Sequence, residues 1–122
     1  MTLFIGRRQA LAVIDRLGLH VRDHGLLASA LARPEASMFG EDAYVTLELK
    51  AAALFSSFAQ NHPLIDGNKR LSLILTFSFI EINGFLLTFT NDEAFDLVLA
   101  VAQSELELEE IAERLASHMV PR

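Results

Sequence analysis

Nine consecutive residues, from His62 to Arg70, bring together an imidazole, a carboxylate and two cations. The imidazole belongs to His62, the carboxylate to Asp66, and the cations are Lys69 and Arg70. A neutral imidazole can accept the proton of an attacking hydroxyl near neutral pH, so His62 is the candidate general base. These residue types at this spacing predict the transfer of a phosphate-containing group to an alcohol.

The two cations are isolated from the other positive residues of the chain. Between Lys50 and Arg114, the only Lys or Arg residues are Lys69 and Arg70, at the start of a helix-forming run. Cations at a helix N-terminus are unfavourable by about 0.3–1 kcal/mol each, unless an anion is bound there. The preceding Gly67-Asn68 step lets a ligand approach the backbone closely, and its N–H groups would complete a phosphate cradle. We therefore expect a phosphate group to bind at this helix start, against the backbone of Gly67 and Asn68 and the side chains of Lys69 and Arg70.

Asp66 stands next to this predicted cradle. A carboxylate beside a polyphosphate is the usual way to retain Mg²⁺, which keeps several waters and bridges to the phosphates. Each residue also has a structural interpretation: Asp66 as a helix N-cap, Gly67-Asn68 as a turn, His62 as a helix-end residue. The catalytic interpretation is favoured because it accounts for all of them together.

Length and composition narrow the class of protein. The chain has 122 residues, which predicts a single domain over residues 1–122, and its net charge of −6 offers no extended cationic face for nucleic acid. It has no cysteine, so disulfides and thiolate chemistry are excluded. The apolar run from Leu71 to Ile80 is too short to span a membrane, and the N-terminus lacks the order of a signal peptide. We expect a cytoplasmic protein.

Helical periodicity dominates the chain and predicts an all-α fold. The residues after Gly67-Asn68 are apolar on nearly all sides up to about Asn83, which predicts the buried central helix at this position. Residues 35–43 are predicted to form a loop, 85–89 an extended connector, and His118 to lie in a frayed tail. The other expected helices cover 8–17, 24–33 capped by Asp23, 47–61, one that begins at Asn91 or Asp92, and one opened by a Ser104–Glu107 capping box.

The segment from His62 to Arg70, HPLIDGNKR, resembles the signature of the Fic family, H-P-F-x-[D/E]-G-N-x-R. Leu64 stands where the family commonly has Phe, and an apolar residue there anchors the loop in the core. Adenylylating members usually have Gly at the position of Lys69, whereas the Doc branch typically has Lys. The stretch from Arg22 to Leu27, RDHGLL, also looks like the early helix of that branch.

The resemblance implies a compact Fic-fold helical bundle with the activity of a Doc-type toxin. Such toxins move the γ-phosphate of ATP to a threonine of translation elongation factor Tu and block translation. By position, His62 would act as the base, Asp66 would hold Mg²⁺, and the run from Gly67 to Arg70 would bind the nucleotide phosphates. A Phd-type antitoxin would be the partner. Two alternatives remain open: transfer of AMP to a protein hydroxyl, and a non-catalytic helical module that only binds an antitoxin.

Overall fold

Six α-helices and two small antiparallel strand pairs make up the computed structural model, which describes all 122 residues. The prediction of an all-α bundle is confirmed, because the strands are only two or three residues long. No helix combines the length and the apolar character that crossing a membrane requires. In chain order, the elements are α1 (Arg7–Arg16), α2 (His24–Ala32), a 3₁₀ turn (Arg33–Glu35), β1 (Ser37–Met38), β2 (Glu41–Asp42), α3 (Leu47–Asn61), α4 (Asn68–Ile82), β3 (Phe85–Leu87), α5 (Asn91–Ala102), α6 (Leu108–Ser117) and β4 (Met119–Pro121).

The most buried helix is α3, which leads into the loop. Its residues from Lys50 to Ala59 are buried without interruption, and α2, α4, α5 and α6 all pack against it. The apolar pattern of the sequence predicts the central helix after the loop. That helix, α4, does bury Leu71 and Phe79, but its far end is open, and Ile82 is 41% exposed. The difference arises because the Ala and Ser residues of α3 let neighbours approach on every side, which a count of apolar residues does not register.

Helix starts follow the predicted capping chemistry at α2 but not at α6. The Asp23 carboxylate accepts a hydrogen bond from the backbone N–H of Leu26 at 3.0 Å, as expected. The Ser104–Glu107 capping box is wrong, because Ser104 lies in a turn with φ +59°. Glu107 is itself the N-cap of α6, and its N–H donates to the Glu110 carboxylate at 2.9 Å. The sequence offers two overlapping i, i+3 pairs here, and the turn at Ser104 selects the later one.

The region predicted as a loop over residues 35–43 contains a short hairpin formed by β1 and β2. Its turn residues Phe39 and Gly40 both have positive φ, +52° and +80°, which suits a tight hairpin turn. Lys50 of α3, which is only 4% exposed, supports the hairpin: its ammonium lies 3.1 Å from the Asp42 carboxylate and also donates to the Tyr44 carbonyl. Strands of two residues are too short to show alternation in the sequence.

The C-terminal residues pack back onto the bundle. The extended connector predicted over 85–89 contains β3, which pairs with β4. His118, predicted to lie in a frayed tail, instead stacks on Phe89 with ring centroids 3.9 Å apart. Its Nε2 lies 3.6 Å from the Glu93 carboxylate at the start of α5. The helix α5 therefore holds the end of the chain in place.

Glu93 provides a pH-dependent test of this arrangement. Hydrogen bonds from the Thr90 backbone and hydroxyl, together with the neighbouring His118, hold the pKa of the Glu93 carboxyl below its ordinary value of 4.5. A carboxyl whose pKa is lowered by folding stabilises the protein above its unfolded pKa, and this contribution is lost as the pH falls through the folded pKa. We expect Glu93→Gln to lower Tm above about pH 5, and to lower it by progressively less as the pH falls below that value.

The measurement is thermal unfolding of both proteins across pH 3 to 7, with Glu113→Gln as the matched control, since Glu113 is exposed and makes no ion pair or side-chain hydrogen bond. A Tm difference for Glu93→Gln that does not change with pH would contradict the prediction.

Candidate active site

All six residues predicted for the site line one concave pocket of about 380 Å³ between the end of α3 and the start of α4. Ile65 is the only apolar residue in its wall, so the pocket is suited to a polar or charged ligand. The structure therefore brings the predicted residues together in one place. The wall consists of His62, Ile65, Asp66, Gly67, Asn68, Lys69 and Arg70.

His62 ends α3 in the left-handed conformation, with φ +53° and ψ +60°. Pro63 follows directly, and a proline disfavours continuation of the helix by the residue before it. The His62 side chain is exposed and makes no hydrogen bond within the chain, so its ring nitrogens are free to meet a substrate. Its carbonyl, by contrast, is held: the Arg22 guanidinium donates to it, with Nε at 3.0 Å.

Asn68 closes the loop with its side chain. The Asn68 Oδ1 accepts from the Leu64 N–H at 2.9 Å, and its Nδ2 donates to the Leu64 carbonyl at 3.1 Å. The residue is only 8% exposed, and Leu64 is 1% exposed, so these bonds are shielded from water. The Asn68 amide thus commits its oxygen and one of its two N–H groups to the loop, and the backbone N–H of this residue remains for the predicted role in phosphate binding. Leu64 anchors the loop in the core, as expected for an apolar residue at this position.

A short stretch before α2 supports the loop from the other side. Val21 lies opposite Leu64 in an antiparallel bridge, and the Ile65 N–H donates to the His20 carbonyl at 3.0 Å. The Pro63 carbonyl accepts from the Arg22 N–H at 2.8 Å. Sequence reasoning missed this support, including the guanidinium of Arg22, because the two segments are about forty residues apart. The only signal was the RDHGLL stretch, which the sequence analysis assigned to an early helix.

The start of α4 presents unpaired donors to the pocket. The backbone N–H groups of Asn68, Lys69 and Arg70 have no acceptor within the chain, and the first N–H in use is that of Leu71, which donates to Gly67. The side chains of Lys69 and Arg70 form no ion pair. Three N–H groups and two cations therefore converge without a negative partner, which is the arrangement that binds phosphate.

Gly67 precedes α4 with φ +83°, a conformation that glycine adopts most readily. A Cβ at this position would lie 2.8 Å from a methyl group of Leu19, so that side chain would have to shift. The positive φ and the contact with Leu19 both favour glycine here. The close approach of a ligand to the Gly67 backbone stays a prediction.

Asp66 is exposed beside the cradle, and one of its oxygens, Oδ1, accepts from the Gly67 N–H at 2.8 Å. It is not the N-cap of α4, a role that falls to Gly67. No group of three His, Asp or Glu side chains is placed to hold a metal ion. A single carboxylate with one uncommitted oxygen is nevertheless a sufficient protein ligand for Mg²⁺ that arrives with a nucleotide, because phosphates and waters supply the remaining ligands.

The chain belongs to the Fic/DOC family, whose model matches residues 4–80. It is also similar to a curated protein described as Toxin Doc, from Mycolicibacterium smegmatis. The two are 49% identical over 100 residues, which cover 80% of this chain and 77% of that protein. The matched family region includes the whole pocket, the segment from His20 to Asp23 that supports it, and most of α4.

Replacing Asn68 tests the closure of the loop. We expect Asn68→Ala to lower the free energy of unfolding by about 1–3 kcal/mol, because it leaves the buried N–H and carbonyl of Leu64 without partners. Urea denaturation measures this loss, and hydrogen exchange at the Leu64 amide should become faster. Asn61→Ala is the control at an exposed asparagine of the same segment, and an equal effect of the two substitutions would contradict the role of Asn68.

Proposed function

We propose that this protein is the toxin of a toxin–antitoxin system and acts as a Mg²⁺-dependent phosphotransferase of the Doc type. It would move the γ-phosphate of ATP to a threonine hydroxyl of elongation factor Tu in the cytoplasm and thereby block translation. One observation carries the proposal: a free imidazole shares a pocket with three unpaired N–H groups and two unpaired cations. Family membership and the similarity to a protein described as Toxin Doc support it.

In this proposal, each residue has a separate task. His62 accepts the proton of the attacking hydroxyl, and its fixed backbone, held by Arg22, limits where the ring can go. The N–H groups at the start of α4 bind phosphate oxygens and counter the charge that develops on them during transfer. Arg70 can hold two oxygens at once, whereas Lys69 acts as a mobile point charge. Asp66 would hold Mg²⁺, which neutralises phosphate charge when it is bound with the nucleotide.

The choice between phosphoryl and adenylyl transfer depends on which phosphate faces the hydroxyl. We favour phosphoryl transfer because Lys69 stands where adenylylating members of the family usually have Gly. Lys69 adds a cation in the first turn of α4. There it can bind a terminal phosphate and so fix the orientation of the bound triphosphate relative to the attacking hydroxyl. Transfer of AMP through the same pocket is the second candidate.

Labelled ATP separates the two reactions. We expect label from the γ position of ATP, and none from the α position, on elongation factor Tu incubated with the protein and Mg²⁺. His62→Ala should reduce the transfer at least about a hundredfold, the usual contribution of a general base, without loss of the folded state by circular dichroism. Label from the α position alone would replace phosphoryl with adenylyl transfer.

The same experiment addresses the non-catalytic alternative. A module that only binds a Phd-type antitoxin predicts that no label is transferred and that His62→Ala leaves the growth arrest caused by expression unchanged. We expect instead that this substitution abolishes the arrest and that co-expression of the antitoxin relieves it in the unmodified protein.

Nucleotide binding tests the cradle without any transfer. We expect Lys69→Gln and Arg70→Gln each to weaken binding of ATP by about tenfold, the effect of losing one charge-assisted hydrogen bond at a solvent-accessible site. Isothermal calorimetry in low salt is the measurement. Arg114→Gln is the matched control, since Arg114 is an exposed cation on α6, away from this pocket. Equal affinity in all four proteins would exclude the proposed cradle.

A further inference from the structure

A second concave site, of about 460 Å³, lies between α2 and the C-terminal half of α3. It adjoins the active-site loop, because Asn61 in its wall directly precedes His62. Nothing in the proposed transfer of phosphate uses this site. Its wall consists of Ser29, Ala32, Arg33, Ala36, Ser57 and Asn61, among which there is no carboxylate.

Arg33 brings an uncompensated charge into this site. Its guanidinium is half-buried and held in place by neutral acceptors only. Nε donates to the Tyr44 hydroxyl at 2.9 Å, and Nη1 donates to the Ser57 hydroxyl at 3.0 Å. The second terminal nitrogen, Nη2, has no hydrogen bond, and no Asp or Glu lies within ion-pair distance. The Arg33 guanidinium is therefore held in one orientation, with the N–H groups of Nη2 free.

The other partly or fully buried cation of the fold is paired with a carboxylate, which Arg33 lacks. Lys50 is buried and meets the carboxylate of Asp42 at 3.1 Å, in line with the general rule that cations removed from water are paired. Arg33 lies on the same side of α3 as that pair, since both cations contact Tyr44, yet it has no carboxylate of its own. Its missing counter-charge is one that a ligand can supply.

Two further donors have no partner within the chain: the hydroxyl of Ser29 and the side-chain amide of Asn61. With the free Nη2 of Arg33, they supply neutral and cationic donors but only one positive charge. A single cation matches the charge of a carboxylate, whereas a phosphate group carries about two negative charges at neutral pH. We propose that this site is a carboxylate-binding subsite, which holds an acidic side chain of the protein substrate while its hydroxyl meets His62. The assignment of this carboxylate to a protein substrate rests on the proposed transfer of phosphate to a protein.

A carboxylate introduced at Ser29 tests the subsite kinetically. We expect Ser29→Asp to raise the KM for elongation factor Tu by about tenfold or more in the γ-label assay, because it occupies and neutralises the guanidinium edge. The KM for ATP and the Tm should stay unchanged, since Ser29 is exposed and its side chain makes no hydrogen bond. Ala28→Asp adds the same charge to the preceding residue of α2, which is exposed and outside the site, and should leave both KM values unchanged. Equal KM values for the two variants and the unmodified protein would overturn the proposal.

A binding experiment keeps the subsite testable if no transfer occurs. We expect N-acetyl-glutamate amide, added to the ¹⁵N-labelled protein, to shift the Nε–H signal of Arg33, and this response to disappear in Ser29→Asp. Inorganic phosphate should instead shift the amides of Lys69 and Arg70 first. A response to glutamate without label transfer would reject the proposed function but retain the subsite. No response of Arg33, or a stronger one to phosphate than to glutamate, would reject the subsite itself.

Discussion

The backbone of Leu64 is bound from two directions, and the geometry of the pocket depends on this restraint. Asn68 forms two hydrogen bonds to the Leu64 peptide groups from within the loop, and Val21 lies opposite Leu64 in the neighbouring segment. Burial of these bonds makes their loss costly, because water does not replace them easily. With Leu64 fixed, the end of α3 and the start of α4 are fixed relative to each other. His62 and the unpaired N–H groups therefore face one pocket without help from a ligand.

Three positive side chains differ in their burial and in whether a carboxylate pairs with them. Lys50 is buried and paired with Asp42, and it serves the hairpin formed by β1 and β2. Lys69 is exposed and unpaired at a helix start, where its charge is unfavourable until an anion binds. Arg33 is half-buried and oriented, again without a carboxylate. In a chain with a net charge of −6, the cations left without a partner at concave sites are the places where we propose that negative groups from other molecules bind.

The sequence predicted which residues share one pocket, because they lie within nine contiguous positions and adjacent residues must share a loop. It also predicted most helix bounds, since periodicity and an N-cap such as Asp23 are local signals. What failed was long-range or too short to be periodic. The clamp of Arg22 on the His62 carbonyl joins residues forty positions apart. The β1–β2 hairpin has strands of only two residues, and the burial of α3 depends on its small Ala and Ser side chains as well as on its large apolar ones.

The left-handed conformation of His62 sets stability against activity at a single residue. A non-glycine residue in this region carries a cost of about 1–2 kcal/mol, which glycine at a helix C-terminus does not have. If folding alone mattered, glycine would be the better residue at the end of α3. A sequence redesigned only for thermal stability would therefore tend to remove the imidazole first. The strained conformation persists because the Arg22 guanidinium donates to the His62 carbonyl and the Arg22 N–H donates to the Pro63 carbonyl. The histidine therefore remains at the end of α3, where its ring faces the pocket.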